Sequence, residues 1–211
     1  MKNLHDKNLA EVITELHKAF DCLNKAFFRG TLPSVIITIQ SKGKRDALGW
    51  FSTGKVWDDG TQEKHEINIS AEYVNRDFME IMRTLLHEMI HLFCCVNNIK
   101  DTSRGGSYHN KNFKAVSENH GMYYSDDAFD KRVGWSFCKL TDESKEIIKG
   151  FGIDEGVFSL KRYDFSAQKN EEKKKTNIIK WQCPCGNIVR SSKPNLKLIC
   201  GDCMQPFEMQ E

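Results

Sequence analysis

Between Tyr73 and Asn97 the chain carries a helix that cannot be a surface helix. Phe78, Met82, Leu85, Leu86, Met89, Phe93 and Val96 recur at helical spacing and cover most of its surface, which implies burial within a domain. The same helix holds His87-Glu88-Met89-Ile90-His91. Two imidazoles and a carboxylate in apolar surroundings each need a partner. Residues four apart are neighbours on one helical face, so both imidazoles can reach one Zn²⁺ at about 2.0–2.1 Å. Glu88 is rotated by one position, misses the metal, and reaches the metal-bound water as a general base. One zinc ion and its water thus satisfy all three groups together.

A catalytic zinc of this kind needs a third protein ligand and an open position. The close-spaced H-E-x-x-H-x-x-G-x-x-H pattern fails, because Cys94 and Asn97 stand where its glycine and histidine would be. Downstream candidates are Cys94, His109, Glu118 and His120. Cys94 would demand ligation from three successive turns of one straight helix. His109, at the start of the next helix, can fold back over the first. Glu118 lies half a helical turn round from His109, and His120 lies about 16 Å along the axis from it. His109 is favoured and Glu118 is its rival. Cys94 and Cys95 read as ordinary buried thiols.

The remaining elements place this helix in an α+β chain. A helical stripe runs from Asn8 to Phe28 and stops at Arg29-Gly30, with Pro33 shortly after. Short strands are expected over Pro33–Gln40, Ala47–Thr53 and His65–Ser70. A shorter helix is expected near Asn110–His120, closed by Gly121, and another over Thr141–Lys149. The rest of Met122–Phe165 has no clear pattern. Ser166–Asn177 has no apolar stripe and reads as a basic linker. The expected organisation is a domain over 1–165, the linker over 166–177 and a small module over 178–211.

That module is defined by its cysteines. Cys183, Cys185, Cys200 and Cys203 form two knuckles separated by 14 residues, whereas Cys22, Cys94, Cys95 and Cys138 are scattered. Four thiolates on two knuckles make a closed tetrahedral site for a structural zinc. The stretch between them reads as two short strands around a polar turn, a zinc ribbon whose first knuckle, C-x-C, is one residue short. A unit of roughly 35 residues lacks the core to fold alone, so the metal supplies its stability.

Charge is also uneven. Residues 161–211 hold ten Lys/Arg against six Asp/Glu, while the whole chain is only +2. A basic tail on a nearly neutral body points to a polyanion such as DNA. Arg190, Lys193 and Lys197 suit phosphates, and Trp181 suits base stacking without sequence preference. No stretch reaches the ~18 apolar residues of a membrane span. The N-terminus interrupts its apolar residues with charges, as an amphipathic helix does and a secretion signal does not. The expected setting is therefore soluble and cytoplasmic, nucleoid-associated if the source is bacterial or phage, with no membrane partner.

Several stretches together resemble the SprT-like/Spartan metallopeptidase family. Leu86-His87-Glu88-Met89-Ile90-His91, then Val96-Asn97-Asn98-Ile99-Lys100-Asp101, then His109-Asn110-Lys111-Asn112-Phe113 resemble its active-site block. Phe27-Phe28-Arg29-Gly30-Thr31-Leu32-Pro33, Gly49-Trp50-Phe51 and Ile67-Asn68-Ile69-Ser70 resemble its lead-in and strands. The resemblance covers roughly residues 12–121 and the cysteine cluster. It departs in Asn110, where the family usually has glycine after the third ligand, and in a longer Thr102–Tyr108 loop. It implies a zincin-like fold of helices on a small sheet, zinc on His87, His91 and His109, and Glu88 as catalytic base. It also implies a DNA-associated protease acting on proteins bound or crosslinked to DNA.

The resulting expectation is a zinc metalloendopeptidase with one catalytic and one structural Zn²⁺. A peptide would add as a strand to an exposed sheet edge beside the zinc helix, with His65–Ser70 as the expected edge. The alternative is a nucleic-acid-binding or transcription-associated zinc protein that keeps the zincin fold as a scaffold without cleavage.

Overall fold

The first helix, α1 (Leu9–Phe28), starts where Asn8 accepts hydrogen bonds from the backbone N–H groups of Ala10 and Glu11, and ends where Arg29 turns left-handed. Its Val12, Leu16, Ala19, Phe20 and Leu23 form one buried stripe. The computed structural model describes residues 8–41, 47–163 and 178–210. It divides into two units, Met1–Tyr163 and Asp164–Glu211. The linker expected over 166–177 lies outside the described residues.

In the first unit, β1 (Ile36–Gln40), β2 (Gly49–Phe51), a short hairpin of β3 (Trp57–Asp58) and β4 (Glu63–Lys64), and β5 (Glu66–Ser70) follow α1. The main sheet has the order β1-β5-β2, with β1 parallel and β2 antiparallel to β5. This corrects the expectation that His65–Ser70 is the exposed edge. All five residues of β5 are buried, because Ile67 and Ile69 enter the core and both flanks are paired. Among the described residues, the strand beside the buried helix that has one edge unpaired is β2.

After a 3₁₀ turn at Ala71–Tyr73 comes α2 (Phe78–Val96). It begins five residues later than the periodicity suggests, because Asp77 caps it by accepting from the Met79 N–H. Ile81, Met82, Leu85, Leu86, Met89, Ile90 and Leu92 are fully buried. Gly49 lets β2 lie against this helix: a Cβ there would stand 2.7 Å from the Asn68 carbonyl oxygen and 3.1 Å from the Thr84 methyl.

The polar stretch after α2 is a hairpin of β6 (Thr102–Ser103) and β7 (Tyr108–His109), turning through left-handed Arg104, Gly105 and Gly106. Then come α3 (Lys111–Asn119), β8 (Met122–Tyr123), β9 (Lys139–Leu140), which pairs with β8, and α4 (Asp142–Lys149). The core runs through all of these, from Val12 to Phe158.

The second unit is a three-stranded antiparallel sheet, β10 (Ile179–Gln182), β11 (Ile188–Ser191) and β12 (Glu208–Gln210), in the order β11-β10-β12. Only one of its strands lies between the knuckles, where two were expected. The other two flank the knuckles, and Leu198–Ile199 meets Pro206–Phe207 through single bonds instead.

Candidate metal centres

His87 and His91 stand one turn apart on α2, and His109 reaches them from β7. The Nε2 of His109 lies 3.1 Å from the Nε2 of both His87 and His91. All three ligand atoms fall within 4.8 Å of one another. Phe113, fully buried at the start of α3, sits under the three rings with centroid distances of 4.7, 4.7 and 4.6 Å.

The outer nitrogens settle which way the rings point their protons. His91 Nδ1 is 2.5 Å from Asp101 Oδ2, and His109 Nδ1 is 3.3 Å from the Val133 carbonyl oxygen. His87 Nδ1 is 3.4 Å from Cys138 Sγ. A carboxylate and a carbonyl only accept, so the Nδ1 atoms of His91 and His109 carry the protons and their Nε2 lone pairs face inward. Lone pairs converging at 3.1 Å repel unless something electron-poor lies between them. A tetrahedral Zn²⁺ with bonds of about 2.0–2.1 Å would separate its nitrogens by about 3.3–3.4 Å, close to what is found. Burial pushes the His109 imidazole down to about 4 and that of His87 well below its ordinary value, which keeps both in the neutral form a metal needs. At Asp101 burial is the largest influence and pushes the carboxyl up, but the hydrogen bond from His91, the charges of His91 and His109 and a backbone hydrogen bond together hold it below the ordinary range.

The other candidates for this site are placed elsewhere. Glu118 is exposed and pairs with Lys114 at 3.5 Å. Cys94 is enclosed in the core. His120 is stacked between Phe28 and Phe93, each 4.6 Å away, with Nδ1 on the Val116 carbonyl oxygen. His109 itself precedes α3 instead of starting it. Asn110 caps that helix, accepting from the N–H groups of Asn112 and Phe113, which explains how the chain uses asparagine after His109.

Glu88 is 6% exposed, next to His87 but turned toward β2, where its Oε1 lies 3.5 Å from the position of a Cβ on Gly49. Burial pushes its carboxyl up to about 7, against the pull of nearby His91 and Arg83. Among the described residues no donor hydrogen-bonds it, so its oxygens are available to a water.

The stretch before β9 that showed no clear pattern turns out to complete this centre. Asp130 and Gly134 exchange backbone hydrogen bonds across a tight turn. His109 donates its N–H to the Val133 carbonyl at 2.9 Å, and its own carbonyl accepts from Trp135 N–H at 3.0 Å. A Cβ on Gly134 would stand 2.0 Å from the His109 carbonyl oxygen. Asp101, Phe113, Val133, Gly134 and Cys138 are thus site residues that carry no motif of their own. A carboxylate shortly after the H-E-x-x-H helix was the one readable signal among them.

In the second unit, Cys183, Cys185, Cys200 and Cys203 bring their sulfurs within 4.8 Å of one another. Cys183 and Cys185 are 3.1 Å apart and Cys185 and Cys200 3.6 Å, far longer than the ~2.05 Å of a disulfide. The backbone N–H groups of Cys203 and Asp202 and the Asn187 amide point at Cys200 and draw its thiol down to about 6. The sulfurs of Cys183 and Cys203 push Cys185 up to about 12. Such a cluster ionises fully only around a cation, which fits a zinc ribbon. The missing residue of the first knuckle is absorbed in its turn. Gly186 N–H returns to the Cys183 carbonyl over three residues, whereas Met204 N–H returns to Cys200 over four.

Of the residues expected on DNA, Arg190, Lys193 and Lys197 are exposed. Arg190 lies opposite exposed Lys180 across the β10–β11 ladder. Trp181 does not join them. It is 7% exposed, its Nε1 has no partner among the described residues, and adjacent Lys180 points to the other sheet face. A ring closed in on this scale offers no face for stacking.

No helix among the described residues is long and apolar enough to cross a membrane. A comparison with curated proteins gives no match, and neither does one with solved structures. The family model described as SprT-like family matches residues 16–130, more than half of the chain, including both histidines of α2, Glu88, Asp101 and His109. The chain, with its three convergent imidazoles and metallopeptidase-like first unit, belongs to the SprT-like family.

Proposed function

We propose that this protein is a zinc metalloendopeptidase that cleaves proteins bound or crosslinked to DNA, with His87, His91 and His109 as metal ligands and Glu88 as the proton carrier. The observation that carries this reading is the convergence of three Nε2 atoms beside a buried Glu88 that stands on the helix of two of them. A zinc ion held by the three imidazoles supplies Lewis acidity to the scissile carbonyl and lowers the pKa of water beside it.

The chain's own groups do the rest. Glu88, with its carboxyl raised to about 7, takes a proton from the attacking water at its carboxylate and returns it to the leaving amine nitrogen. Asp101 and Val133 hold the outer protons of His91 and His109, so these rings stay aimed inward while charge develops. The free edge of β2, whose Gly49 stands next to Glu88, takes the substrate as an added antiparallel strand. The four cysteines would hold a structural zinc, and Lys180, Arg190, Lys193 and Lys197 would contact phosphates.

The test is cleavage of a DNA-binding protein with and without single-stranded DNA, comparing the natural chain with Glu88→Gln. The expected result is DNA-dependent cleavage that falls by about 10²–10⁴-fold in the variant, with metal content unchanged. Equal cleavage by both proteins would end the mechanism. No cleavage by either, with both sites loaded, would favour a non-proteolytic zinc scaffold.

A further inference from the structure

Two of the three imidazoles have outer partners of the usual kind, a carboxylate for His91 and a carbonyl for His109. His87 has sulfur. Cys138 Sγ lies 3.4 Å from His87 Nδ1 and is 2% exposed, so no bulk water competes for that nitrogen. The thiol sits immediately before β9, whose pairing with β8 and buried Leu140 fix its place. Cys138 and Val133 both lie beyond residue 130, where the family match ends.

The proton on His87 Nδ1 follows from the reading of the three imidazoles as ligands. A neutral imidazole that offers its Nε2 lone pair to a cation carries its proton on Nδ1, so His87 donates and the Cys138 sulfur accepts.

We propose that Cys138 is a positioning residue of the metal centre, holding the Nδ1 proton of His87 outward so that its Nε2 lone pair faces His91 and His109. This rests on the reading of the three imidazoles as metal ligands. Sulfur is a weak acceptor, so His87 has the weakest outer hydrogen bond of the three imidazoles.

The test uses the full chain, its zinc affinity measured by competition with a chromophoric chelator, and the visible absorption of the Co²⁺-substituted protein. Thiolate charge-transfer bands distinguish the four-sulfur site from the histidine site. Cys138→Ala is expected to weaken zinc binding at the histidine site by about 10–100-fold and to shift the Co²⁺ bands of that site. Cys138→Ser restores affinity to within a few-fold, because a hydroxyl accepts the same proton. Natural affinity and an unchanged Co²⁺ spectrum in Cys138→Ala overturn the proposal, as does a serine variant damaged as badly as the alanine one. Should the alanine variant misfold, the Nδ1 proton of His87 in the zinc-loaded natural chain decides. A slowly exchanging resonance supports the bond to Cys138, and rapid exchange with water overturns the proposal. His87→Ala separates the two levels. Loss of binding there without loss in Cys138→Ala overturns the positioning role alone, while undiminished binding in His87→Ala overturns the ligand assignment and this proposal together.

Discussion

Around the three imidazoles the first unit packs a core that runs from Val12 in α1 to Phe158, with most of the α2 side chains buried. The ribbon buries Trp181, Cys183 and Cys200 and no other hydrophobic side chain among the described residues, while Ile178, Ile188, Ile199, Met204 and Met209 are largely exposed. Both units gather metal-ligating atoms within 4.8 Å, yet the physics behind the gathering differs. In the first unit, apolar burial fixes α2, the β6–β7 hairpin and α3, and the histidines arrive in place. In the second, two knuckles and three short strands have too little apolar area to offset the entropy of ordering them. There a cation held by the four sulfurs would do what a core does elsewhere.

The largest effect that would break this contrast is metal removal. Chelation of the full chain is expected to unfold the ribbon, because a structural zinc of this type contributes about 10–16 kcal/mol that is also folding free energy. The first unit should keep its fold and lose only activity. Amide spectra read both at once. Signals of β10–β12 should collapse to unfolded positions while those of α1 and the N-terminal half of α2 remain dispersed. Ribbon signals that stay dispersed without metal would show that its exposed apolar residues have a partner that stabilises it.

Backbone geometry gives the next largest effect. Gly134 has a φ of +68° and no room for a Cβ, whose nearest neighbour would be the His109 carbonyl oxygen at 2.0 Å. Gly186 in the first knuckle has a φ of +95° but nothing within 4 Å. Gly134→Ala therefore combines a left-handed penalty with a forced backbone shift and should cost about 2–4 kcal/mol, whereas Gly186→Ala carries the conformational penalty alone, about 1–2 kcal/mol. Denaturation midpoints of the zinc-loaded protein check this. Equal losses at the two positions would mean that the turn at Asp130–Gly134 is not rigidly tied to the third ligand.

That turn also marks where sequence reading stopped. The apolar stripe of α2, the spacing of His87 and His91, the three strands and the four clustered cysteines are periodic or paired features, and periodicity is what a lone sequence displays. His109 could be favoured over Glu118 from its place after a loop long enough to fold back. Strand order could not be read, because β5 alternates apolar and polar residues as an edge strand would, yet its Asn68 and Ser70 are buried as well. Val133 acts through a carbonyl that any residue possesses, and Gly134 through the absence of a side chain. Cys138 looked like one more scattered thiol. Trp181 beside basic residues looked like a stacking platform until the alternation of β10 put it on the covered face. Sites completed by backbone atoms in irregular segments leave no pattern in the chain.

The smallest effect separates a helix cap from a part of the metal centre. Asn8 and Asn110 both cap helices, each accepting from two backbone N–H groups, and replacing either by alanine should cost about 1 kcal/mol. Asn110 does more. Its Nδ2 donates to the Lys100 carbonyl at 2.8 Å, and its N–H donates to the carbonyl of Asp101 at 2.9 Å. It therefore ties the start of α3 to the residue that holds His91, and it follows directly on His109. Asn8 is far from this in the chain and caps α1 instead. Asn110→Ala keeps the N–H bond to Asp101 but loses the side-chain tie to Lys100, so zinc affinity at the histidine site should drop a few-fold, while Asn8→Ala loses stability alone. The pair is read by thermal melting together with chelator competition on the zinc-loaded chain. If both variants lose equal stability and neither loses affinity, Asn110 is only a cap. The position of Asp101 would then be set by β6 and its pairing with β7, so that the hairpin alone carries the third ligand into place.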